Sequence, residues 1–85
     1  MALLLDEKVG FSEIESLAYS IEKRLLRKVG LFDVYEGEEI GRGKKSYALS
    51  FILQDESKTL TDAEIDTVMS KLAHAFKDKL GAQIR

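Results

Sequence analysis

The chain is 85 residues long, enough for one domain and no more. It has no cysteine, which excludes disulfides, thiol catalysis and cysteine-based zinc sites, while an apolar fraction of 45% still supports a packed core. A net charge of −2 argues against strong non-specific nucleic-acid binding, which draws its affinity from neutralised phosphates, so any nucleic-acid contact is expected to be one among several in a larger assembly.

No apolar run approaches the roughly 20 residues that span a bilayer. The opening Met1-Ala2-Leu3-Leu4-Leu5 meets Asp6 and Glu7 at once. It lacks the basic start and longer apolar stretch of a signal peptide, so residues 2–6 read as a short buried strand. Lys8-Val9-Gly10 is a turn. Ser12 lies three residues before Glu15, the spacing of a capping box, with Phe11 as a hydrophobic staple. Ile14, Leu17, Ala18, Ile21 and Leu25 follow at helical spacing. The helix is expected to end among residues 24–28, where basic side chains suit the negative end of its dipole, with Gly30 as the stop.

Residues 31–53 read as a β-hairpin: one alternating run over 31–35, a glycine-rich turn over 36–45, and a second run over 46–53. Phe32 and Val34 share one face of the first run; Leu31, Asp33 and Tyr35 share the other. In the second run Tyr47, Leu49, Phe51 and Leu53 form an apolar face, with Ser46, Ala48, Ser50 and Ile52 opposite. Burial of the apolar faces leaves Asp33, Tyr35 and Ser46 on an open sheet surface. After a polar loop over residues 55–60, Thr61 and Glu64 repeat the capping-box spacing. Ile65, Val68, Met69, Leu72, Ala73 and Phe76 form the stripe of a second helix that Gly81 stops, and residues 82–85 can pair only as an edge strand.

The order strand, helix, strand, strand, helix, strand defines an α+β, ferredoxin-like βαββαβ sandwich: a four-stranded antiparallel sheet with both helices on one face and the other face open.

Catalytic chemistry has little support. The single histidine, His74, falls on the polar side of the second helix, away from metal-ligating partners. Glu36, Glu38 and Glu39 cluster in the hairpin loop, which offers no pocket to perturb a carboxylate. Gly37, Gly41 and Gly43 match neither phosphate-loop spacing and lead into no helix; turn geometry accounts for them. Arg42, Lys44 and Lys45 place three positive charges beside Asp33, Tyr35 and Ser46, where a phosphate contact is worth considering. The open face is the stronger candidate. Single-stranded RNA is read by stacking bases on aromatic rings and hydrogen-bonding their edges. Tyr35 supplies a ring, worth about 1–3 kcal/mol per stacked base. Asp33, when ionised, offers only acceptors, and the Watson–Crick edge of guanine presents two adjacent donors. Pattern alone leaves this reading beside that of an inert polar surface.

The residues Leu31-Phe32-Asp33-Val34-Tyr35-Glu36-Gly37, Gly43-Lys44-Lys45-Ser46-Tyr47-Ala48, Thr59-Leu60-Thr61-Asp62-Ala63-Glu64 and Gly81-Ala82-Gln83-Ile84-Arg85 stand in order along the chain. Together they resemble the ferredoxin-fold anticodon-binding domain that closes the β subunit of bacterial phenylalanyl-tRNA synthetases. The resemblance covers essentially the whole chain. It implies a non-catalytic module, residues 1–85, cut from a β subunit several times longer. The parent implied is a cytoplasmic, ATP- and Mg2+-dependent α2β2 ligase whose catalytic site lies in the α subunit. The partners implied are the anticodon stem-loop of tRNA(Phe), the rest of the β subunit and the α subunit; no membrane is involved, and the isolated domain is expected to be monomeric. The resemblance assigns contacts with the guanine at the first anticodon position to Asp33, Tyr35 and Ser46, with Ala2 bordering the base. Arg42, Lys44 and Lys45 are the weaker candidates, for RNA backbone. No catalytic residue, metal or cofactor is expected within this domain. Tyr47 stands where leucine is common in the family, on the face assigned to the core, so its hydroxyl needs a partner.

Two other readings remain. A ferredoxin-like regulatory domain binding a small molecule or a protein would use strand–helix loops, where residues 7–10 offer little beyond one glycine. An RNA-recognition-motif domain would carry aromatics on the open face of its third strand, whereas Tyr47 and Phe51 are expected to point inward.

Overall fold

The computed structural model describes residues 1–84, and at residue 38 the backbone alone. The elements are β1 (Ala2–Asp6), α1 (Phe11–Ile21), β2 (Leu26–Glu36), a single 3-10 turn η1 (Glu38–Ile40), β3 (Lys44–Leu53), α2 (Asp62–Leu80) and β4 (Gln83–Ile84). The sheet order is β2-β3-β1-β4, with every neighbouring pair antiparallel. β3 therefore lies between β1 and β2, and β1 between β3 and β4, which is the doubly split βαβ arrangement of a ferredoxin-like fold. Arg85, last of the expected edge-strand residues, lies outside the described residues.

One core joins the layers. Leu3 and Leu5 of β1, Leu26 and Val29 of β2, and Tyr47 and Leu49 of β3 pack against Ile14 and Ala18 of α1 and Val68, Leu72 and Phe76 of α2. The alternate β1 and β3 residues line the opposite face, which no helix covers. Phe51 and Phe76 stack with ring centroids 6.2 Å apart, tying the sheet to α2.

α2 follows its sequence signals closely. The Thr61 hydroxyl accepts the Glu64 N–H at 3.2 Å, the Glu64 carboxylate accepts the Thr61 N–H at 3.2 Å, and Gly81 ends the helix at φ 66°. α1 departs from them. It starts at Phe11, and the reach-back bond comes from Glu13, whose carboxylate accepts the Gly10 N–H at 2.9 Å, rather than from a Ser12–Glu15 box. It also ends at Ile21, before the expected stretch. Leu25 still reaches the core, from the connecting turn, and Gly30 sits inside β2 rather than capping a helix. The reason is tertiary. Leu26 and Val29 bury their side chains while pairing with Leu53 and Phe51, so the cross-strand ladder takes the backbone that the basic residues would suit as a helix end.

The hairpin is correspondingly longer than expected, and its register shifts between Leu31 and Asp33. Leu31 pairs with Leu49 on the helix side, yet Asp33 pairs with Ala48 on the open side. The expectation that Leu31, Asp33 and Tyr35 share one face is thus corrected: the bulge divides them, because an extra residue in one strand reverses the alternation beyond it. Phe32, at the bulge, is 70% exposed rather than buried.

Candidate nucleic-acid interface

The bulge decides where the candidate side chains point. Beyond it, Tyr35 lies opposite Ser46, and Ser46 lies opposite Leu4 of β1, which in turn lies opposite Gln83 of β4. One step along, Asp33 lies opposite Ala48 and Ala48 opposite Ala2. Directly opposed side chains start about 5 Å apart, and consecutive rows on one face are separated by roughly 7 Å. The structure therefore brings Asp33, Tyr35, Ser46 and Ala2 together on the open face, in two adjacent rows. Ala48 and Ala2 continue the Asp33 row with methyl groups only, so the carboxylate stands at the edge of a low apolar floor. Asp33 and Tyr35 are exposed on their strand, and Ser46 and Ala2 are half-buried in the two central ones.

The three basic candidates separate. Lys44 is on the open face, opposite Asp6. Arg42 sits in the turn leading into β3, between Gly41 (φ 106°) and Gly43 (φ 76°), whose left-handed backbone favours glycine. Arg42 and Lys44 both line a depression of about 270 Å³ whose walls include Leu4, Ile40 and Gln83. Both also line a second depression, of about 230 Å³, with Glu7 and Glu36. Lys45, one position along the strand, falls on the helix side. It is 9% exposed, and its ammonium lies 4.7 Å from the centroid of the Tyr47 ring. The Tyr47 hydroxyl donates to the Val9 carbonyl at 3.4 Å, which supplies the partner that its burial requires.

Three further residues border the face without having been assigned to it from the sequence alone. Leu4 and Gln83 reach it by cross-strand pairing, which alternation within one strand does not reveal. Glu39, from the acidic loop, accepts a hydrogen bond from the Tyr35 hydroxyl. No local period pointed to that pair, because it forms between the end of β2 and the 3-10 turn that follows it.

Elsewhere the charged residues serve the scaffold. Asp55 pairs with Arg24 at 3.1 Å and accepts the N–H of Ser57 at 2.9 Å and its hydroxyl at 2.7 Å. Those contacts, the Ser57 backbone N–H foremost, hold its carboxyl at about 2 against an ordinary 3.8. The Glu64 carboxyl is also held below its ordinary value, chiefly by Lys58 at 2.8 Å and then by Thr61. Glu22, nearly buried at the end of α1, meets Lys71 of α2 at 3.5 Å. His74 is exposed on α2. Among the described residues no group of three or more His, Asp or Glu could hold a metal ion, and no helix is long and apolar enough to cross a membrane.

A ferredoxin-like sandwich whose uncovered sheet face carries an aromatic ring, a carboxylate and a hydroxyl over small side chains, with cations at one rim, has the make-up of a single-strand-reading surface. Comparison with known sequences gives the family. The sequence profile of the ferredoxin-fold anticodon binding domain matches residues 1–85, and the chain belongs to that family. It is similar to phenylalanine–tRNA ligase β subunits: 62% identical over 85 residues to that of Bacteroides fragilis and 60% to that of Bacteroides thetaiotaomicron. The β subunit of Streptococcus mutans is 48% identical over 86 residues. Each comparison covers the whole of this chain, which spans about a tenth of the length of these relatives (10–11%).

Proposed function

We propose that this chain is the anticodon-binding module of a phenylalanine–tRNA ligase β subunit and that its open sheet face reads the guanine at the first anticodon position. The observation that carries the reading is the cross-strand placement of Asp33, Tyr35, Ser46 and Ala2 in two adjacent rows of one uncovered face. The base stacks on Tyr35. Its N1–H and N2–H₂ donors point to the Asp33 carboxylate, which repels the acceptor-bearing edges of other bases. Ser46 adds a hydroxyl beside the ring, and Ala2 and Ala48 leave room for the purine. Arg42 and Lys44, at the rim, meet the RNA backbone; Lys45 belongs to the scaffold. The module carries out no chemistry. It helps a cytoplasmic parent enzyme, working with an α subunit in an α2β2 assembly, to select its tRNA for ATP-dependent aminoacylation. ATP and Mg2+ act in that catalytic part.

The test is aminoacylation by the parent enzyme. Tyr35→Ala and Asp33→Ala should each lower kcat/KM for tRNA(Phe) by about tenfold, the loss of one stack or one charge-assisted pair. The same variants should change little with a tRNA already altered at that base. Wild-type discrimination in both variants would refute base reading. A regulatory small-molecule or protein-binding role is favoured by no feature of the strand–helix turns.

A further inference from the structure

The acidic hairpin tip has no role in the reading above, and a carboxylate beside an RNA-binding face carries an electrostatic cost, since it repels phosphate. One member of the tip is tied to the face by a specific contact. The Tyr35 hydroxyl donates to the Glu39 carboxylate, a charge-assisted bond of the stronger kind. The tip that supplies Glu39 is shaped by the turn Glu38–Ile40, in which the Ile40 N–H donates to the Gly37 carbonyl at 3.3 Å. Ile40 is half-buried and lines the same depression as Leu4. Gly37 completes the seat. A Cβ placed there would lie 3.7 Å from the Tyr35 hydroxyl oxygen and 3.9 Å from two of its ring carbons, so the phenol end of the ring lies near the turn at Gly37.

We infer that Glu39 is a positioning residue for base recognition: by holding the Tyr35 hydroxyl, it fixes the plane of the ring on which the guanine stacks. Tyr35 is 45% exposed on an edge strand, where an untethered ring samples several rotamers and must be ordered on binding. The bond to Glu39 orders the ring beforehand. It engages the phenol oxygen with the protein, so that recognition falls to the ring rather than to the hydroxyl. The inference rests on the reading of the open face given above.

The experiment uses the 85-residue chain and two RNA stem-loops that differ only in guanine or adenine at the first anticodon position. The readout is the ratio of their dissociation constants, in which sequence-independent phosphate repulsion cancels. Glu39→Ala and Tyr35→Phe should each reduce the guanine preference about two- to tenfold. The double variant should lose no more than either single one. Glu39→Gln, which keeps an acceptor, should restore most of the preference. In the free chain, Glu39→Ala should shift and broaden the Tyr35 ring resonances while leaving those of Tyr19 and Tyr47 in place. Additive losses, no rescue by glutamine, or an unmoved Tyr35 ring would overturn the inference. If Tyr35→Ala abolishes the guanine preference while Glu39→Ala retains it, positioning by Glu39 falls and base reading stands. If Tyr35→Ala itself retains the preference, base reading fails and the inference falls with it.

Discussion

Lys44 and Lys45 are adjacent in sequence and carry the same charge, yet they face opposite sides of β3. Lys44 lies on the open face, and Lys45 lies against the Tyr47 ring near the core. Because contact with phosphate releases counterions, the dependence of binding on salt separates the two roles. Arg42→Ala or Lys44→Ala should reduce the slope of log K against log[salt] by about one for RNA binding, measured by anisotropy titration at several salt concentrations. Lys45→Ala should leave the slope unchanged and lower stability instead, since it removes a buried stem and a cation–π contact worth about 1 kcal/mol. An undiminished slope in all three variants would argue against phosphate contacts at this rim.

At the level of elements, the connection from β3 to α2 is held by Asp55. Its carboxylate closes a turn onto Ser57 and ties that turn to Arg24, which follows α1. Its folded-state pKa of about 2 lies below the ordinary 3.8. The stabilisation it provides is therefore fully present above the ordinary value, and is lost as pH falls from there through about 2. Asp55→Asn should flatten the acid limb of the stability profile in that window, read from urea midpoints at a series of pH values. A profile parallel to wild type would remove Asp55 from the account. The other decisive element is β2, whose bulge between Leu31 and Asp33 turns Asp33 and Tyr35, the proposed recognition residues, to the open face. Extra residues at such positions commonly re-aim side chains beside functional sites.

Across the whole molecule, the core residues and the proposed recognition residues occupy opposite faces of one sheet. Phe76 is fully buried and stacks on Phe51, so Phe76→Ala should cost about 3–5 kcal/mol, a large part of what a domain of this size has available. Tyr35→Ala, on the open face, gives up an exposed bond to Glu39 and should cost about 1 kcal/mol. Denaturant unfolding of the two variants checks both. A comparable loss in Tyr35→Ala would mean that the open face supports the fold as well as recognition. The molecule measures 45 × 19 × 18 Å. The 11 residues of β2 outrun the 11 residues of α1, because a strand rises about twice as far per residue as a helix. The outer half of the hairpin thus extends past α1, leaving Val34 44% exposed although it faces the helix side.

Much of this was legible in the residues themselves. Period and caps gave the element order, the limits of α2 and the inward face of β3, because the signals at Thr61, Glu64 and Gly81 are satisfied within the local chain. The motif around Asp33, Tyr35 and Ser46 marked them as the proposed recognition residues through family resemblance, and the structure places the three on one face. The end of α1, the bulge at residues 31–33, the burial of Lys45 and the tether from Glu39 to Tyr35 were decided by tertiary structure. Each depends on a partner distant in sequence or on a turn whose shape the chain finds only when folded: Leu53 and Phe51 for the start of β2, Ala48 for Asp33, Leu5 and Glu36 across the sheet for Lys45, and the 3-10 turn for Glu39. Local sequence fixes which residues alternate, but which of two faces becomes the interior is set only when strands pair and one side is covered.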